Sequence, residues 1–178
     1  MKSILLISIF SLIAGLTPPE HWNADEANAK IMFSVKGPFG TVHGSFSGLK
    51  ATIQFSEKDL AGSSLSTSIE AKTVSTGISM RNRDLRNEEE WLNTGKYPMI
   101  SFKSKKIEKT SAGYKVLGDL TLKTTTKPIE IPFTFTSSGV GAVFKGQFTL
   151  NREDYKLGNK GGSVGDIVTI SLEVPVKK

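Results

Sequence analysis

The feature that most limits how this chain can fold is a side-chain alternation of period two, renewed in one short run after another. In Tyr114–Lys123, residues Tyr114, Val116, Gly118, Leu120 and Leu122 fall on one side, and Lys115, Asp119, Thr121 and Lys123 on the other. Successive side chains of an extended strand point to opposite faces, so such a run buries one face and hydrates the other only as a β-strand. The pattern recurs in Ile129, Ile131, Phe133 and Phe135, set against Glu130, Thr134 and Thr136. It recurs again in Ala142, Phe144, Gly146, Phe148 and Leu150, and in Val168, Ile170, Leu172, Val174 and Val176. Shorter runs precede these: Ile31-Phe33-Val35, Val42-Gly44-Phe46, Ile53-Phe55, Leu65-Thr67-Ile69-Ala71 and Ile100-Phe102-Ser104. The stretches EKTSAG and TSSGVG between runs read as hairpin turns, where glycine accepts a positive φ. The whole predicts an antiparallel all-β protein.

Half-apolar strands of this kind form either a two-sheet sandwich or a closed barrel. Short connections everywhere except at 76–98 favour an eight-stranded antiparallel barrel. So do the small residues Ala71, Ser104, Gly118, Ala142 and Gly146, interleaved with phenylalanines on the apolar faces. An eight-stranded barrel is just wide enough to be filled by side chains or to hold one small ligand. Small inward residues point to the second outcome; glycines that merely mark strand bends would leave the first.

The connection 76–98 is the one helical candidate. Its sequence predicts two short helices, the first capped by Ser79 and the second by Asn87. Glu88, Glu89 and Glu90 then complement the second helix dipole, with Glu90 as capping-box partner and Asn93 with Gly95 as the stop. Such an insertion between mid-chain strands is expected to cover one barrel end.

At the start of the chain, Lys2, the apolar run Ile4–Ile13 and the small residues Ala14 and Gly15 have the form of a signal peptide. It is expected over 1–17, with cleavage between 14 and 19, leaving 18–178 as a single barrel domain. The apolar run is too short for a lasting membrane anchor. No cysteine is present, which excludes disulfides, thiol nucleophiles and cysteine metal sites. Export without disulfides suits the periplasm of a Gram-negative bacterium. The net charge of +6 is spread over alternating strands rather than gathered in a block. That argues against nucleic acid and is compatible with transient contact with an anionic membrane surface.

Catalytic apparatus is sparse. The histidines are His21 and His43, and GSFSG carries Phe46 where a nucleophile elbow has serine. No spacing of histidines and carboxylates fits zinc. Consecutive Glu88, Glu89 and Glu90 on a helix diverge by about 100° and do not converge on one ion. GNKGGSVG lacks the strand-before, helix-after setting of a phosphate loop and reads as a flexible connection. An enzyme is not expected. Arg81, Arg83 and Arg86 beside Asp84, together with Arg152, fit either a structural ion-pair network at the barrel rim or a polar mouth for a ligand head group.

Taken in order, MFSVKGPFGTVHGSF, STGISMRNRDL, EEWLNTGKYPMISFKS, GDLTLKTTTKPI and NREDYKLG resemble the YceI-like family over essentially the whole chain after the leader. The resemblance implies a lipocalin-like barrel in a non-catalytic periplasmic protein. It also implies a long apolar pocket for a polyisoprenoid, such as a quinone or prenyl phosphate, and no other cofactor. The family's Arg-Asp pair falls on Arg81 and Asn82, and the histidine usual after the first strand falls on Gly37. Thr124 stands for glycine before Thr126-Lys127-Pro128. The expected ligand contacts are Phe33, Val35, Phe46, Phe55, Ile69, Phe102, Leu120, Phe133, Phe144, Phe148 and Ile170, with Arg81, Trp91 and Arg152 at the rim. No metal ligand is expected, and the oligomeric state, a homodimer included, stays open. The alternative reading is an envelope stress-response interaction protein with a packed barrel that acts through its surface.

Overall fold

The computed structural model describes residues 19–139 and 141–178; the leader expected over 1–17 lies outside them. The strands are β1 (Glu20–Ala24), β2 (Lys30–Gly37), β3 (Gly40–Phe46), β4 (Lys50–Phe55) and β5 (Ser64–Glu70). After one helix, α1 (Ser79–Asn87), come β6 (Met99–Thr110), β7 (Gly113–Leu122), β8 (Thr125–Ser138), β9 (Gly141–Asn151) and β10 (Ile167–Lys177). All pairings are antiparallel, in the order β1-β4-β5-β6-β7-β8-β9-β10, and a β1–β10 pairing closes the ring.

The barrel has eight positions, as the alternation predicts, although ten strands build it. β10 pairs with β2 along Val168–Glu173 and with β1 at Val176 and Lys177, so β1 and β2 share one position. β4 beside β1 and β3 beside β2 share the next. The first break is an Asx turn in which the Asp25 carboxylate accepts from the Asn28 amide and side chain. The second passes through Gly48 at φ 71°. Alternation could not announce β1, a strand of five residues in which Trp22 alone is buried.

Along β7 the inward residues Tyr114, Val116, Gly118, Leu120 and Leu122 are buried and their neighbours are not. An extra residue, Lys105, bulges out of β6 between Ser104 and Lys106. The Ser104 hydroxyl turns to accept the Leu65 amide at 2.8 Å.

The wall has a seam. β8 pairs with β9 only from Phe133↔Gly146 to Ser138↔Gly141; beyond that, β8 continues beside β7 and β9 beside β10. The Pro132 carbonyl faces Gly146 of β9. Because N–H and C=O of one residue point to the same strand edge, Pro132 and Pro128 deprive that edge of donors, and the ladder stops. The 3-10 turn Arg152–Tyr155 fills the gap, with Tyr155 buried and Lys127 paired to Asp154 at 2.7 Å.

The barrel's two ends differ. At one, Phe55 is 1 % exposed and packs against Tyr114, Phe133, Phe135 and Phe144 at centroid distances of 4.9–5.8 Å. Trp22 seals this end, its ring edge-on to Phe135 and its indole N–H donating to the Phe55 carbonyl at 3.0 Å. The other end, the mouth, is covered by the β2–β3 turn, residues 71–98, the β7–β8 turn and the β9–β10 connection.

The insertion at the mouth differs from the expected two helices. A single helix, α1, runs from Ser79 to Asn87, and its N-cap is Ile78, which makes no side-chain cap bond. Asn87 ends this helix instead of opening a second, with Glu88 as its C-cap and Glu89 and Glu90 in the turn beyond it. Tertiary partners override the capping pattern: the Glu90 carboxylate accepts from the Asn159 side chain at 2.6 Å, the Glu90 carbonyl from the Gly158 N–H, and the Glu89 carbonyl from the Lys123 ammonium.

Trp22→Ala is expected to destabilise the fold by about 3–5 kcal/mol, read from urea unfolding by circular dichroism. Trp22→Phe should cost less, chiefly the roughly 1–3 kcal/mol of leaving the Phe55 carbonyl unpaired.

Candidate functional site

Between the aromatic plug and the mouth, the interior holds a cavity of about 290 Å³. Its wall is almost wholly aliphatic and aromatic, because one face of every surrounding strand is turned inward. The inward glycines do not create it in the expected way. A Cβ on Gly44 would lie 2.2 Å from Phe33 Cζ, and one on Gly118 would lie 2.5 Å from Phe102 Cζ. Each ring folds flat across a neighbouring glycine, occupying the place of a missing side chain. The rings stay on the wall, and the centre stays open.

The lid over the mouth is held by one buried charge. Arg152 is 2 % exposed. Its guanidinium donates to the carbonyls of Leu157 (2.7 Å), Val164 (2.8 Å), Gly165 (3.1 Å) and Asn159 (3.3 Å), and to the Asp166 carboxylate (3.0 Å). That ties the β9–β10 connection to its own base. The connection is also stitched outward, through Gly158 N–H to the Glu90 carbonyl and Gly165 N–H to the Lys36 carbonyl. The Trp91 ring lies against Gly158, where a Cβ would come within 2.6 Å of it and where φ is 72°, so glycine is required on both counts. GNKGGSVG is therefore a pinned segment of the lid rather than a flexible connection.

Phe33, Val35, Phe46, Ile69, Phe102, Leu120, Phe133, Phe144, Phe148 and Ile170 line the cavity, with Trp91 and Arg152 at its roof. Phe55 does not: it faces inward but belongs to the plug. Arg81 does not line it either; it sits half-buried on the first half of α1, away from the cavity. Of the rim arginines, Arg83 makes an exposed pair with Asp84, and Arg86 donates to the Val74 carbonyl at 2.7 Å. Arg152 has most of its donors committed to the lid. Roof residues Leu85, Leu92, Leu157 and Val164 were not foreseen. They sit in irregular or helical segments, where a period-two pattern carries no signal.

Two phenols are shifted. Burial, then a hydrogen bond to Glu57, pushes Tyr114 up to about 12. Burial, with the charge of Asp154 added, pushes Tyr155 up to about 12, and its hydroxyl has no partner among the described residues.

A closed antiparallel barrel with one filled end, one lidded end and an apolar interior defines a class of proteins built around an internal apolar site. The model of the YceI-like domain matches residues 22–176, so the chain belongs to the YceI-like family. A UPF0312 protein of Yersinia enterocolitica is 28% identical over 184 residues, covering 97% of this chain and 95% of the relative. Among solved structures, BcnA of Burkholderia cenocepacia superposes with a TM-score of 0.80 at 24% identity, covering 86% of this chain and 99% of that one. A YCEI protein of Campylobacter jejuni does so with 0.69 at 23%, covering 77% and 85%. A polyisoprenoid binding domain from Saccharophagus degradans gives 0.68 at 14%, covering 88% and 97%. At these identities the structures establish the shared fold.

Arg152→Met should cost about 3 kcal/mol or more in urea unfolding, because it leaves a set of buried carbonyls without donors. The raised phenols hold protons that the unfolded chain releases from pH near 10, so their contribution is complete below that pH. Stability should fall as pH rises from about 10 to about 12. Tyr155→Phe should shrink that fall at little cost to stability near neutral pH, since it removes an unpaired hydroxyl.

Proposed function

We propose that this protein is a non-catalytic binding protein for a polyisoprenoid or similar long-chain lipid, such as a quinone or prenyl phosphate. The tail lies in the barrel interior, and the protein carries or stores the lipid in the periplasm. The observation that supports this most directly is the cavity of about 290 Å³ whose wall offers almost no polar group. Burying an isoprenoid tail there recovers about 25 cal/mol for each Å² of apolar surface taken from water, with no directional chemistry needed. The likeness to a structure described as a polyisoprenoid binding domain supports the same class of ligand. The arrangement of the few polar groups fits it too: Arg152 is committed to the lid and leaves the interior without a free charge. A packed barrel working through its surface has no comparable observation behind it, since the interior is not packed.

Protein purified from its native host is expected to carry an extractable hydrophobic molecule visible by native mass spectrometry. Delipidated protein should take up a quinone or prenyl lipid in a one-to-one complex. Leu120→Trp and Ile170→Trp, which fill the cavity from two different strands, β7 and β10, should each reduce uptake by about tenfold or more while circular dichroism stays unchanged. Uptake that neither substitution alters would place the ligand elsewhere and remove the basis of this reading.

A further inference from the structure

Large apolar side chains left in water are not spread evenly over this barrel. Among the described residues the exposed ones are Met32, Phe39, Ile78, Met80, Met99 and Ile167. All but Met32 lie at the mouth: Phe39 in the β2–β3 turn, Ile78 and Met80 at the start of α1, and Met99 and Ile167 at the first residues of β6 and β10. The plugged end exposes none of them. Phe39 is the extreme case, 102% exposed at a turn closed by Gly40 at φ 125°. Among the described residues nothing covers it.

The β2–β3 turn and the β9–β10 connection carry exposed lysines, and Asp154 at the start of that connection is taken up by Lys127. Lys36 and Lys160 are exposed, and neither makes an ion pair among the described residues. The two segments that carry them are joined by the bond from Gly165 N–H to the Lys36 carbonyl at 2.8 Å. Lys156, exposed and also without an ion pair, adds a third cation to the same connection. Asp166, the acid on this connection's far side, is paired with Arg152. Of the acids after α1, Glu90 bonds the Asn159 side chain of this same connection and Glu89 pairs with Lys96.

We propose that the mouth, led by the β2–β3 turn and the β9–β10 connection, docks on the surface of an anionic lipid bilayer. Phe39 and Ile167 enter the head-group region, and Lys36, Lys156 and Lys160 face the lipid phosphates. A bilayer fits better than a protein partner because the apolar residues are single tips separated by polar chain. A protein interface needs a contiguous apolar centre, whereas lipids rearrange around isolated side chains. The attraction is of the reversible, salt-sensitive kind, with each surface lysine contributing modestly. Docking in this orientation sets the lidded end of the cavity against the membrane, so a lipid could pass between the two without crossing water. That consequence rests on the carrier reading, whereas the docking itself rests on the surface alone.

The test is co-sedimentation of the delipidated protein with vesicles of phosphatidylglycerol and phosphatidylcholine, and with vesicles of phosphatidylcholine alone. Binding to the anionic vesicles should be at least about tenfold stronger and should fall steeply with added salt. Lys36→Glu with Lys160→Glu should lower it by about tenfold or more, and Phe39→Ser by about fivefold. Lys109→Glu, an exposed change near the plugged end, should have little effect. No preference for anionic vesicles overturns the proposal, as does an equal loss from Lys109→Glu. Loss of a self-associated species in light scattering on Phe39→Ser, without loss of vesicle binding, assigns the face to a second copy and also overturns it. Quinone uptake, measured separately by native mass spectrometry, keeps the two readings apart. Vesicle binding without uptake sinks the carrier reading, and uptake without vesicle binding sinks this one.

Discussion

Closure of the sheet rests on little backbone pairing. Asn23 opposes Lys177 and Ala24 opposes Val176, and just beyond them the Asp25 N–H donates to the Pro175 carbonyl at 2.8 Å. What makes so short a join sufficient is the side-chain packing beneath it. Trp22 and Val176 are buried at 3 % and 1 % exposure, and the Trp22 indole reaches across to the Phe55 carbonyl. A barrel has no free edges only once it is closed. The inward apolar faces of β5–β10 therefore share a common interior because this corner holds.

The same packing divides the interior unequally. Phenylalanine rings crowd Phe55 at the plugged end, where edge-to-face contacts suit their quadrupoles. Further along the axis, Phe33 and Phe102 have glycines beside them and lie down on the wall. Ring-over-glycine pairing thus compensates the lost side-chain contacts of a strand glycine while keeping volume free in the middle. A single residue type fills one end and spares the other, depending on its cross-strand neighbour.

The candidate site was legible in outline. Inward-facing residues such as Leu120, Phe148 and Ile170 follow from alternation, because an antiparallel strand with one buried face admits a single register. Phe55 shows the limit: period two tells which face a side chain takes, and nothing about its height along the barrel axis. Arg81 and Arg152 show another. Both sit in irregular or helical stretches rich in charge, and only the path of the β9–β10 connection reveals that Arg152 is enclosed by carbonyls. Asn87 followed by three glutamates has the form of a helix start, yet the bonds from Asn159, Gly158 and Lys123 hold Glu89 and Glu90 against a local preference worth about 1 kcal/mol.

Sequence by itself determined nine of the ten strands, β2 to β10, and their inward faces. These are local consequences of side-chain period, so they can be read without knowing what lies opposite. Tertiary structure decided the breaks that make ten strands serve eight positions, the level at which the aromatic plug ends and the cavity begins, and the burial of Arg152 under the lid. Each of these depends on groups far apart in the chain meeting in space, and no local pattern encodes that meeting.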